Sequence, residues 1–160
     1  MESNKSIIET LNDLVQINND RIKGFENAIK ELSEKNDELY DRTDLVNVFN
    51  NKILESRQLK STLVQEIQVL GGEAETDSTV SGAIHRTWLE VKAAFTGHSE
   101  KSILEECEFG EDAIKKAYQT AIDDEDTPAY IRDILNDQKM IIDQSHDEIK
   151  ALRDSVEQHH

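Results

Sequence analysis

Apolar residues recur along this chain with a helical period, and little interrupts them. In the first segment they fall at Ile7, Leu11, Leu14, Ile22, Phe25, Ile29 and Leu32, a stripe of period near 3.5 in which Asn18 holds the place between Leu14 and Ile22. The pattern predicts a helix over 6–35, opened by Ser6 and Glu9 at the spacing of a capping box. A second helix is expected over 38–70, capped by Asp37, with Leu39, Val46, Phe49, Ile53, Leu63, Ile67 and Leu70 on its stripe and Ser56, Arg57 and Lys60 interrupting it. Gly71 and Gly72 stop it by supplying left-handed backbone without steric cost.

Residues 73–79 read as a polar linker, followed by a short helix over 80–96 with Ile84, Trp88, Val91 and Phe95 on one face. Ser99 caps a third long helix over 100–122, which carries Ile103, Cys107, Ile114, Ala117 and Ala121 inward. After an acidic turn, Thr127 and Pro128 start a fourth over 128–157, because proline tolerates the first helical turn. With one proline and six glycines in 160 residues, the chain has material for a few very long helices. Such helices bury their stripes most simply in an all-α antiparallel four-helix bundle, here a single domain over 1–160. The short helix then belongs to a long crossover between the second and third long helices.

Charge narrows the partners. The 34 acidic residues outnumber the 18 basic ones, a net charge of -16, so a phosphate backbone or an anionic membrane is repelled. No apolar run approaches the roughly 20 residues that span a bilayer. The start of the chain lacks the basic and apolar regions of a secretory signal, and the single cysteine excludes an internal disulfide. A cytoplasmic protein that binds neither nucleic acid nor membrane, and that is open to homo-oligomerisation, is the expectation.

The stretches STVSGAIHRTWLEVKAAFTG, ILEECEFGEDAIKKAYQTAI and SHDEIKALRD resemble an uncharacterised bacterial family of ferritin-like four-helix bundles. The resemblance covers nearly the whole chain and is densest over 78–122. It implies a ferritin-like bundle and a stress-related setting, and carries over no catalytic residue.

Metal-active bundles of that kind place a Glu on each of two helices and a Glu-x-x-His on each of the other two, since residues three apart share a helix face. This chain offers altered versions. The third helix supplies Glu108 and Glu111, the fourth supplies Asp143 and His146, and the second supplies Glu55 with Gln58 in place of the imidazole. Counting residues from the turns sets Asp143 level with about Glu108 and His146 with about Glu105, with Glu111 roughly 4 to 5 Å from the Asp143 level. The same count sets Glu55 beside residue 17 or 18, with Arg57 available to pair with Glu55 or Glu111.

The candidate metal ligands are therefore Glu108, Glu111, Asp143 and His146, with Glu55 and Gln58 as a degraded second half, and the candidate cofactor is iron or another divalent ion. The competing reading is a polar layer that sets register with no ligand. If that layer is a plain buried network, Glu111→Leu is expected to raise stability. Cys107 reads as a small core residue. Three function classes stay open: an altered ferritin-like metal protein without catalysis, a structural or interaction bundle, and, third, a di-iron oxidase.

Overall fold

The computed structural model describes residues 2–35, 43–73 and 100–158. Four helices occupy them: α1 (Glu2–Lys35), α2 (Thr43–Val69), α3 (Glu100–Asp123) and α4 (Ala129–Gln158). No strand is present among the described residues. The crossover helix expected over 80–96 and the cap at Asp37 lie outside them. One boundary differs from expectation. Helix α1 already runs from Glu2, so Ser6 lies inside it and is not its cap, while the expected start of the second helix at 38 lies outside the described residues. Nothing between Glu2 and Lys35 breaks a helix, and a capping spacing alone does not start one where good helix formers precede it.

Helices α1 and α4 each bury a seam of strict heptad spacing. On α1 it is Ile7, Leu11, Leu14, Asn18, Arg21, Phe25, Ala28 and Leu32, all buried. On α4 it is Ile131, Leu135, Gln138, Ile142, Ser145 and Ile149, with half-buried Leu152 completing it. Alternating steps of four and three keep one face toward the neighbours as the helices wrap, which is the geometry of bundle packing. The α1 seam passes through Arg21 and Ala28, whereas the stripe read from the sequence passed through Ile22 and Ile29, which are only half-buried.

Helix α1 packs against α2 and α3, and α4 packs against α3 and α2. Contacts such as Asn18 to Tyr118 and Arg21 to Glu111 run in opposite senses along α1 and α3, so these two are antiparallel. Helices α2 and α3 therefore lie diagonally and run parallel, with the end of α2 and the start of α3 at opposite ends of the bundle. Residues 74–99 join those ends.

The helix ends are satisfied locally. Gly71 adopts φ +87, its N–H donates to the Gln68 carbonyl at 3.0 Å, and the Gly72 N–H donates to the Ile67 carbonyl at 2.9 Å. This pair of bonds is the Schellman motif, and it places the left-handed residue at Gly71. Gly72 is small for a different reason: a Cβ there would stand 2.8 Å from Ile8 Cγ2. At the other turn the Thr127 hydroxyl donates to the Ala121 carbonyl at 2.8 Å, and Arg132 donates to the carbonyls of Ile122 and Asp124, closing the end of α3.

Candidate functional site

The apolar core is split in two. One cluster gathers Leu14, Leu63, Ile114 and Leu135, and the other Phe25, Phe49, Leu104 and Ile149. Between them the seams carry polar side chains from all four helices. Arg21 is at the centre, with only 1% of its side chain exposed. Its Nε donates to Glu111 Oε1 at 2.7 Å and its Nη2 to Glu111 Oε2 at 2.9 Å, a two-pronged pair with a carboxylate that is 2% exposed. Nη2 also faces Glu55 Oε1 and Ser145 Oγ, each at 2.8 Å. Nη1 donates to Ser56 Oγ at 2.7 Å and reaches the Lys52 carbonyl at 3.4 Å. The guanidinium carbon Cζ lies over the Phe25 ring, 5.4 Å from its centre.

Six acceptor atoms thus converge on the five N–H groups of one guanidinium. Burial alone would lower the arginine pKa. The charges and hydrogen bonds of Glu111 and Glu55 outweigh it and hold the group above its ordinary value, so it is permanently charged. A planar five-donor fork fits this place as a lysine would not.

A second layer lies one turn along α1. Asn18 Nδ2 donates to the Leu14 carbonyl and to the Tyr118 hydroxyl, both at 3.0 Å. Tyr118 donates to Gln138 Oε1 at 2.7 Å, and Gln138 Nε2 donates to the Leu59 carbonyl at 3.2 Å. Among the described residues, the buried side-chain atoms without a hydrogen-bond partner are Asn18 Oδ1 and Asp143 Oδ1. Burial pushes the Tyr118 hydroxyl well above the usual phenol range, against the smaller opposing effects of Asn18 and Arg21.

The residues singled out in the sequence do not converge on one point. Glu111 and Glu55 turn inward to Arg21. Glu108 and His146 meet along the α3–α4 seam, where His146 Nε2 lies 3.6 Å from Glu108 Oε1 and 3.3 Å from Asp112 Oδ1. Glu108 also pairs with Arg153. Asp143 pairs with Lys139 at 3.2 Å and with Lys115 at 3.5 Å. Gln58 and Arg57 are exposed, so the arginine that meets Glu55 and Glu111 is Arg21. Each candidate carboxylate already faces a cationic side chain. Among the described residues no group of three or more His, Cys, Asp or Glu is arranged to hold a metal ion. A di-metal centre needs carboxylates free to bridge cations, and this donor set does not fit one.

Arg21 and Ser145 escaped the sequence reading. The signal that locates them is the heptad itself: steps of four and three from Leu14 land on Asn18 and then Arg21, and from Ile142 on Ser145. Cys107 is half-buried. Burial, followed by the charges of Glu111, Glu106 and Glu31, pushes its thiol far above the usual range, which suits a packing residue and not a nucleophile. No described helix is long and apolar enough to cross a membrane.

No curated protein matches the chain. Residues 6–124, which cover α1 from Ser6 onward, α2, the segment that follows and all of α3, match a family described as a domain of unknown function. The chain belongs to that family, DUF2383.

Proposed function

We propose that this chain is a non-catalytic, ferritin-like bundle with an altered core site, in which the Arg21 guanidinium stands among carboxylates that metal-active relatives of the architecture would turn to metal ions. The observation that carries this reading is Arg21 bonded at once to Glu111, Glu55, Ser56 and Ser145, residues of the other three helices. An internal cation of fixed geometry sets the rotation and height of each helix, because any slip leaves a buried charge unpaired. Its work is architectural, and function then lies on the outer faces, through protein partners or self-association. The parallel diagonal arrangement of α2 and α3, which suits a long crossover, supports the ferritin-like comparison. The stress-related setting enters this proposal from the resemblance alone.

Elemental analysis tests it. Protein purified without chelator and loaded with ferrous iron under anaerobic conditions is expected to carry no stoichiometric metal. About one or two ions per chain, lost in a His146→Ala variant, would overturn the architectural reading in favour of a metal protein.

A further inference from the structure

The outer face of α2 differs from every other described face of the bundle. Its exposed residues Asn47, Asn51, Leu54, Gln58, Ser61, Gln65 and Gln68 follow steps of four and three, a second heptad seam directed away from the core. None is charged. From Leu45 to Gly72 no acidic residue is exposed, and the one exposed charge is Arg57, opposite in sign to the net charge of -16. The other helices expose acids throughout: Glu9 and Glu26 on α1, Glu105, Asp112 and Asp123 on α3, and Asp133, Asp137, Asp147 and Glu148 on α4.

We propose that this amide-rich seam is the contact face for a second copy of the chain, docked antiparallel about a two-fold axis. The proposal rests on the interaction-bundle reading above and names its partner. Two copies of so acidic a chain repel wherever carboxylates face each other, and the α2 seam from Asn47 to Gln68 carries none. Depletion of Asp, Glu and Lys is also the compositional mark of an interface centre. A two-fold axis makes the patch self-complementary. Centred near Gln58, it sets Asn47 against Gln68, Asn51 against Gln65 and Leu54 against Ser61, so that amides meet amides, which donate and accept equally. Leu54, 56% exposed, lines a shallow depression near the axis together with Ile29 and Ile53, and Glu26, Asn50 and Arg57 complete its lining, so that the one acid there has a cation beside it. The helix is about 40 Å long, and a strip of that length covers of order 500 Å² per copy, the size of a reversible contact with a micromolar dissociation constant.

Sedimentation equilibrium of the full chain, from about 5 to about 500 µM in physiological salt, reads the association directly. The wild type is expected to pass from monomer to dimer over that range. Asn51→Asp with Gln65→Glu puts acid opposite acid at two symmetric places and should weaken the dimer tenfold or more. Asn51→Lys with Gln65→Glu sets opposite charges at the same places and should restore or strengthen it. Both positions of change are exposed, and unaltered melting checks that the fold is kept; Asn136→Asp on the outer face of α4 should leave association unchanged. A wild type that stays monomeric, or a dimer indifferent to the charge pairs, would overturn the proposal. Neither result bears on the Arg21 network, whose own test is metal content.

Discussion

Replacing Arg21 by Met removes the guanidinium and keeps much of its apolar stem. Glu111, 2% exposed, then loses both bonds from Arg21 and stays buried as an uncompensated charge, while Glu55, 28% exposed, can turn to water. Removing one partner of a buried pair costs about 3 to 5 kcal/mol. For a chain of this size, each kcal/mol moves the melting temperature by about 2 to 4 °C, so a fall of roughly 6 to 20 °C is expected. Glu111→Leu alone should cost less, because Arg21 keeps Glu55, Ser56 and Ser145. This reverses the gain expected of that change from the sequence, where the partner of Glu111 was not visible. The double variant should recover most of the loss, since an apolar pair of similar volume replaces a buried ion pair at little or no cost. Urea titrations followed by circular dichroism, set out as a double-mutant cycle, give each value. An Arg21→Met protein within about 0.5 kcal/mol of wild type, or a double variant no more stable than Arg21→Met, would refute the claim that this pair anchors the core.

The two glycines after α2 should fail differently. Gly71→Ala forces a side chain into φ +87 and should cost about 1 kcal/mol in thermal melts whatever its neighbours. Gly72→Ala strikes Ile8 Cγ2 and Cδ1 and should cost about 1 to 3 kcal/mol, relieved by Ile8→Ala in the same chain. Tyr118→Phe strips partners from buried Asn18 and Gln138 and should cost about 1 to 3 kcal/mol by urea titration. Because the folded phenol is raised above its ordinary 10.0, its contribution is complete below that pH and is lost as pH rises beyond it. Alkaline unfolding should accordingly be less steep in Tyr118→Phe, and equal slopes would remove the argument. Cys107 should react with a thiol reagent far more slowly in the native than in the urea-unfolded chain; equal rates would show an accessible thiolate.

Helix–helix register shows where residue counting falls short. The count set Glu55 beside residue 17 or 18 and His146 beside Glu105, yet Glu55 meets Arg21, and His146 meets Glu108 and Asp112. Side chains tilt toward the start of their own helix, so on antiparallel neighbours the pairs that touch carry numbers about two higher in sum than pairs level at the backbone.

The sequence by itself determined the four helices, the polar Asn18 layer, the buried Glu111 and the turn at Thr127 and Pro128, because heptad spacing, capping and proline geometry act over a few residues of chain. Only the tertiary structure decided that the α1 seam runs through Arg21 and not Ile22, a rotation of one residue that packing against α2 and α3 selects. It also decided which charges meet. Arg21 and Glu111 lie 90 residues apart in the chain, and a carboxylate on a buried face reads equally as a metal ligand or as half of an ion pair until the opposite helix presents its side chain.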